Sequence, residues 1–417
     1  MGPQVQEWKK SYLLIVDEIS FASKDILIKL NEKLNILRQA EGGSRFGGIC
    51  IVFAGDFSQL PPVQAAPLYT IDDLEMWHEW VNTFLELNGN HRYKDDEEWG
   101  EILQMFRKNG PTPQQLARIN QRVIDPINNP NGPTEEDIPD NATYAVATNI
   151  DRNAINDGIF SLHLQNTHHL QHPSEGSEYF VPDHAIVIKG SDLQWKKPGK
   201  GRNYAPFNKV AKDILFNYCG DAHVTDSRGS RRLDPFLKGY RGRPMMLNLN
   251  KNVASSEANG TLCQFRGVRF KQGVTIDDTE LIRIDGYWVR SVCASQLQCI
   301  VVYNEESRKQ IDVEASQETC LVRFPLLGIL GMSGTDKVRI TQRMKMTQFP
   351  FNCCNATTCH KLQGATKECL VIHSFRYTDN WPYVVLSRVR RREGVFLRQP
   401  LDGRKVKGMS AALKTFL

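Results

Sequence analysis

Two short runs in the first sixty residues are apolar at every position, not at every second or third. Tyr12-Leu-Leu-Ile-Val16 ends in the carboxylates Asp17 and Glu18, and Ile49-Cys-Ile-Val-Phe-Ala54 ends in Gly55-Asp56. Continuous apolar strands predict burial on both faces, as in the parallel sheet of an α/β layer. Between them, Ser23 is placed to cap a helix whose Ile26, Leu27, Leu30, Leu34 and Leu37 share one face, with Gly42-Gly43 as its end.

Further along, Asp95-Asp96 leads a helix with Trp99, Ile102, Leu103 and Phe106 on one stripe, stopped at Gly110-Pro111. A second helix is expected over 114–124. The Pro/Asn/Gly-rich piece 125–141 reads as a loop, 143–149 as a strand, and the region near 151–160 as a helix. Periodicity fades between about 165 and 245. Short apolar or alternating runs broken by Gly and Asn then mark a β-rich module over 246–330. The α/β pattern returns after 340, with ECLVIHSF (368–375) and GVFLR (394–398) as strands. The expected organisation is an α/β chain with a β insertion, divided at 1–84, 85–188, 189–335 and 336–417.

Composition changes this picture only locally. The 417 residues are 41% hydrophobic and 24% charged, ordinary values for a globular protein, with a formal net charge of +5. The charge is unevenly spread. Residues 189–243 hold thirteen Lys/Arg against five Asp, and 388–407 hold eight basic residues against two acidic. The segment 72–101 is acidic. Taken alone, each basic zone suits either a polyanion site or a solvated face. No stretch reaches the roughly 18 apolar residues of a membrane span, and the ten cysteines form no Cys-x-x-Cys pair, which reads as a reduced, intracellular chain.

The chemistry begins at SYLLIVDEIS (11–20). An apolar strand ending in paired acids is the pattern of a Walker B strand, whose aspartate holds Mg²⁺ and whose next acid orients water. Close behind lies GGSRFGGICIVFAGDFSQLPPV (42–63). There Gln59 sits at a strand's carboxyl end, where nucleotides bind in open α/β sheets. FGG followed by GDFSQLPPV resembles the Pif-type DNA helicases of superfamily 1, relatives of the RecD-like helicases. The resemblance continues in order through LELNGNHRYKDDEEWGEILQMFRKNG (85–110), ATNIDRNAIN (147–156), NGT (259–261), ATTCHKLQGAT (356–366) and YVVLSRV (383–389).

That resemblance implies a RecA-like P-loop NTPase motor. Its first lobe would be N-terminally truncated, and its second would carry an inserted small SH3-like β-barrel. It implies ATP and Mg²⁺ as cofactors, and single-stranded DNA and DNA junctions as partners. A monomer would move 5′ to 3′, in nucleus or mitochondrion if eukaryotic, with ties to DNA repair, recombination and telomere maintenance. Asp17 would anchor Mg²⁺ and Glu18 polarise water. Gln59 would report the γ-phosphate, while Arg92 and Arg388 would neutralise charge on the transferred group. Thr358, His360 and Lys361 would face DNA, with Gln363 and Gly364 facing nucleotide. Without the motif context, each arginine alone reads as a surface salt bridge.

Leu362 and Lys367 depart from the family's usual Ser and Leu, and so bear on the DNA-side roles. A larger departure is that no G-x-x-x-x-G-K-S/T occurs anywhere in the 417 residues. GMSGTDKV (331–338) has Asp336 and Val338 where the loop needs Gly and Ser/Thr, and GKG (199–201) is too short. The chain is accordingly expected to start inside the first motor lobe, leaving apolar surface bare around 12–16 and 49–54. The expectation is little ATP hydrolysis by the chain alone. The alternatives are a non-catalytic remnant or nucleic-acid-binding fragment, or the helicase portion of a rolling-circle transposon protein. Cys353, Cys354, Cys359 and His360 lack zinc-knuckle spacing, and His163, His168, His169 and His172 lie in a polar segment. Trp195, Tyr204, Phe207 and Tyr240 suit either base stacking or core packing.

Overall fold

The computed structural model describes residues 3–39, 44–87, 89, 91–167, 179–180, 185–196, 204–206, 223–225, 234–251, 257–325, 339–378 and 380–416. Gly42-Gly43, the segments 199–201 and 331–338, His168, His169, His172 and Phe207 therefore lie outside the described residues. Two contact units divide the chain: 1–149 with 357–417, and 150–356.

The first unit opens with α1 (Pro3–Lys10), β1 (Leu13–Val16), α2 (Lys24–Arg38) and β2 (Cys50–Phe53). The two strands pair in parallel, with Leu13 opposite Cys50 and Val16 opposite Phe53. Ser23 is the residue before α2, but its hydroxyl makes no capping bond. The helix ends on Gln39 in the left-handed region, ahead of the expected glycines. Leu27 and Leu34 are buried, whereas Ile26 is exposed and falls off the predicted face. Gly47 explains why FGG follows. A Cβ there would sit 2.7 Å from the Leu34 carbonyl oxygen, and the backbone is left-handed, so only glycine lets the chain close against α2.

The continuous apolar runs predicted strands buried on both faces, and the strands are buried on one. Leu14, Ile51 and Phe53 pack with Trp8, Leu34 and Trp80. On the other face Leu13 is 53%, Ile15 62% and Val52 45% exposed. The bare surface expected around these strands is present.

After α3 (Ile71–Trp80) come α4 (Glu97–Phe106) and α5 (Pro113–Asn120). Asp96 caps α4 by accepting the Trp99 amide at 3.0 Å, which satisfies one of the helix's orphan donors. Trp99, Ile102, Leu103 and Phe106 are all buried, in a core shared with α6 (Trp381–Leu386). A four-stranded sheet completes the unit, ordered Ala356–Thr358, β3 (Thr143–Val146), β4 (Leu370–Ile372) and β5 (Val395–Leu397). β4 lies parallel to both neighbours. A final helix, α7 (Ala411–Phe416), sets Phe416 among Phe57, Tyr69 and Trp77 at centroid distances of 5.0, 6.2 and 5.8 Å.

The second unit begins with the helix Asn149–Thr167, longer than expected, and is otherwise β-rich. LCQFRGVRF is one strand, paired antiparallel with Leu297–Asn304. LIRIDGYWVRSV is a hairpin turning on Asp285-Gly286, both at positive φ, as a tight two-residue turn requires. The β pattern runs past 340, because Arg339–Gln348 pairs along ten residues with Ser316–Pro325. Strands Ile186–Lys189 and Phe236–Gly239 also lie within the span that showed no periodicity. Arg243 is fully buried. It donates to Asn355 Oδ1, Lys238 O and Asn156 O beneath the rings of Phe160 and Tyr240. Tyr240 also stacks on His163 at 3.8 Å, which makes it packing and not an open platform for a base. Burial, then Arg243, pushes His163 down to about 4, so its ring is neutral at pH 7.

Candidate active site

The two parallel strands deliver their carboxyl ends side by side. Ala54 donates to the Val16 carbonyl at 2.9 Å, and Ile19 to the Ala54 carbonyl at 3.0 Å, so the loops after β1 and β2 leave the sheet laced together. Gly55 permits this approach, since a Cβ there would lie 2.8 Å from the Ile19 nitrogen. Immediately after β1, Asp17 is exposed and its Oδ1 accepts the Glu18 amide at 2.8 Å. Glu18 takes φ 53°, ψ 47°, a left-handed backbone uncommon for glutamate. Such strain concentrates at functional sites. It turns the side chain toward the C-terminal half of the unit.

There Glu18 meets residues more than three hundred positions away. Gln363 Nε2 donates to Glu18 Oε2 at 2.8 Å and to Ser20 Oγ at 3.1 Å, while its Oε1 accepts the Leu60 amide at 3.3 Å. One amide thus ties the loop after β1 to the loop after β2. Gly364, at positive φ, stands so close that an added Cβ would be 3.4 Å from Glu18 Oε1. Next to this knot, Arg388 Nη2 donates to Gln59 Oε1 at 3.3 Å and to Ser387 Oγ at 2.8 Å, with Nε on the Val384 carbonyl at 2.8 Å. Arg92 Nη1 and the Tyr93 hydroxyl both donate to the Ser387 carbonyl, at 3.2 and 2.9 Å.

The structure therefore brings together Glu18, Gln59, Arg92, Arg388 and Gln363, with Asp17 and Gly364 beside them. Thr358, His360 and Lys361 lie at the start of the short helix Cys359–Leu362, just before Gln363. His360 stacks on Phe21 with centroids 6.4 Å apart. Burial against that ring, then Arg376, holds the imidazole below its ordinary value. Its charge at neutral pH is accordingly small, and Lys361 is the cation of this group.

Sequence reasoning passed over several residues that hold the site. Asp56 accepts the Ser58 amide at 2.8 Å and the Tyr383 hydroxyl at 3.3 Å, and stands 3.5 Å from Arg107. Asn380 donates to the Gln59 carbonyl at 3.4 Å. The one sequence signal for these was Asp56 itself, a carboxylate ending an apolar strand. Tyr383, Asn380 and Arg107 sit on helices and loops whose approach no local pattern announces.

Electrostatics separate function from packing at Arg388. The side chain is 2% exposed and its hydrogen-bond partners are neutral. Burial, then the neighbouring Arg92, pushes its pKa down. A buried guanidinium bonded only to neutral oxygens is costly for the fold. Arg388→Met is therefore expected to keep the melting temperature of the native chain or raise it. A fall of more than about 4 °C, or roughly 1–2 kcal/mol in a unit this size, would show that the charge is structural.

As a magnesium ligand, the exposed Asp17 carboxylate at the strand end suits one coordination position. Among the described residues no group of three or more His, Cys, Asp or Glu is placed to enclose a metal by itself. A metal held at Asp17 would need most of its ligands from elsewhere than these side chains.

A PIF1-like helicase family model matches residues 3–108, which include β1, β2 and both loops of the site. Over those residues the chain is similar to the PIF1-like helicases. The ATP-dependent DNA helicase PIF1 of Candida albicans is 34% identical to this chain over 136 residues, 30% of this chain and 15% of that relative. The chain thus spans well under two thirds of that Pif protein's length. A crystal structure of Pif1 helicase from Candida albicans aligns with 99% of this chain and 77% of its own, with a TM-score of 0.59 and 19% identity. A Bacteroides Pif1 crystallised with single-stranded DNA aligns with 99% and 76%, with a TM-score of 0.57 and 19% identity. At that identity the likeness is one of fold. The α/β architecture is that of the RecA-like Pif helicases.

Proposed function

We propose that this chain is the catalytic-acid and arginine half of an ATP-dependent, Pif-type DNA helicase motor that moves 5′ to 3′ on single-stranded DNA. One observation carries the reading. Gln363 bonds Glu18 at a sequence separation of 345, and Arg388 bonds Gln59 at 329, so four motif residues from distant segments converge on one point. The proposed domain division places first-lobe residues at 1–84, the second lobe at 85–188 and 336–417, and the insertion at 189–335.

Bound MgATP would supply the γ-phosphoryl group and a metal charge. Asp17 would ligate the Mg²⁺. Glu18, oriented by Gln363, would take the hydrogen bond of the attacking water, and the Arg388 and Arg92 guanidinium groups would balance charge on the transferred group. Because Gln363 follows Thr358, His360 and Lys361 within one short helix and turn, movement of a strand on that helix would reach Glu18 through a single side chain. The reading extends to a monomer acting inside the cell on single strands and junctions, in nucleus or mitochondrion if eukaryotic, and in DNA repair, recombination and telomere upkeep. A second reading, a nucleic-acid-binding fragment without catalysis, is favoured by the missing phosphate loop.

Binding of a labelled oligodeoxythymidine at about 50 mM salt tests the strand side. Lys361→Glu is expected to weaken it several-fold and to lower the slope of log affinity against log salt by about one. Unchanged affinity and slope would remove Lys361 from the interface.

A further inference from the structure

Where the C-terminal segment passes the loop that bears Gln59, it closes over a cavity of about 180 Å³. Tyr69, Tyr377 and Tyr383 supply its rings, Asn380 a side-chain amide, and Lys405 and Lys407 two ammonium groups. Volume decides what fits. An apolar cavity of about 150 Å³ holds benzene, and drug-sized sites run from about 300 to 1,000 Å³. One planar ring system is admitted, and a whole nucleoside triphosphate is not.

Charge and hydrogen bonding decide which ring. Lys405 Nζ lies 5.4 Å from the centroid of Tyr377 and 3.6 Å from Asp402, while Lys407 is exposed on the rim. The surrounding segment 388–407 has eight basic residues against two acidic. An occupant with an anionic substituent is favoured there, and the tyrosine faces favour a flat π system above an aliphatic one. Asn380, whose Nδ2 donates to the Gln59 carbonyl, and the Tyr377 hydroxyl, which accepts the Asp402 amide, retain donor and acceptor capacity for a ring edge. We propose that this cavity takes one nucleobase, with its phosphate at Lys405 and Lys407.

The walls of the cavity also hold the loop of the candidate active site. Asn380 donates to the Gln59 carbonyl, and the Tyr383 hydroxyl to Asp56. An occupant would thus touch two side chains that fix Gln59. The proposal uses none of the residues assigned above to the strand, and it stands whether or not the chain is a motor.

Photocrosslinking with the full chain tests it. Two probes, 5-iodo-2′-deoxyuridine monophosphate and a short oligodeoxythymidine carrying one 5-iododeoxyuridine, are irradiated with the protein and the adducts mapped by peptide mass spectrometry. An adduct on Tyr69 or Tyr377 is expected, reduced about ten-fold or more by Lys407→Glu, a rim substitution that leaves the core untouched. Labelling by the monophosphate identifies a free nucleotide as the ligand, and labelling by the oligonucleotide alone identifies a strand. Lys361→Glu is expected to leave these adducts in place, even where it abolishes other contacts with the strand. Adducts confined to other segments, no adducts, or labelling indifferent to Lys407→Glu would overturn the proposal.

Discussion

Incubated with ATP, Mg²⁺ and single-stranded DNA, the purified chain is expected to turn nucleotide over at the rate of a protein-free blank. The reason lies in how phosphoryl transfer is catalysed. The protein positions the phosphates and supplies charge, and a single arginine finger is worth about 10³–10⁵ in rate. In the proposed function Arg92 and Arg388 would serve that task. Nowhere in the sequence, however, is there a loop whose backbone amides and lysine would seat the phosphates. Losing that whole cradle costs at least as much as losing one finger. The measurement that decides is a coupled ATPase assay of the native chain beside Glu18→Gln. DNA-stimulated turnover that disappears in Glu18→Gln would mean that another segment binds the triphosphate.

The second large effect is on stability. Trp99→Ala is expected to lower the unfolding free energy by about 3–5 kcal/mol, read from the midpoint of a urea transition followed by circular dichroism. Trp99 is fully buried, and its Nε1 donates to the Val389 carbonyl at 3.1 Å, one residue beyond Arg388. The substitution removes one of the two tryptophans of the core shared by α4 and α6. It also strands a buried carbonyl. Trp99→Phe keeps most of the volume and loses only the bond, so it should cost about 1–3 kcal/mol. Equal losses for the two variants would show that the hydrogen bond and not the packing holds this core.

The pairing of these two predictions reflects the build of the molecule. Trp99 anchors the segment that presents Arg388 and Ser387, while Arg388 itself spends its hydrogen bonds on Gln59 and its own helix. The same few residues serve packing on one side and charge on the other.

Periodicity was enough for the α4 stripe of Trp99, Ile102, Leu103 and Phe106. Burial at a helix–helix contact needs only the right residues on one side of a 3.6-residue repeat, and Asp96 marked where it begins. The β-rich character of 246–330 was legible from short runs broken by Gly and Asn, whereas the hairpin at Asp285-Gly286 came only with the structure. The paired acids after β1 and Gln59 after β2 could likewise be placed from the chain alone, since strand ends are local features. The exposed face of β1 and β2 was foreseen only by counting strands. The apolar run itself is indifferent to whether both sides are covered.

Tertiary structure decided what these residues face. Gln363 was expected to look toward nucleotide, and the structure shows its protein partners there to be Glu18, Ser20 and the Leu60 amide. Arg388 could have been a surface ion pair and is buried against Gln59. Tyr240 was open to either reading and is consumed by His163 and Arg243. Asp56, Tyr383, Asn380 and Arg107 entered the site with little or no warning. Each of these depends on contacts between segments from about fifty to more than three hundred positions apart, whose energy resides in neither segment alone. A local pattern sets which face of an element is apolar and where it stops. Which distant side chain then fills the last hydrogen bond is settled only when the cores close.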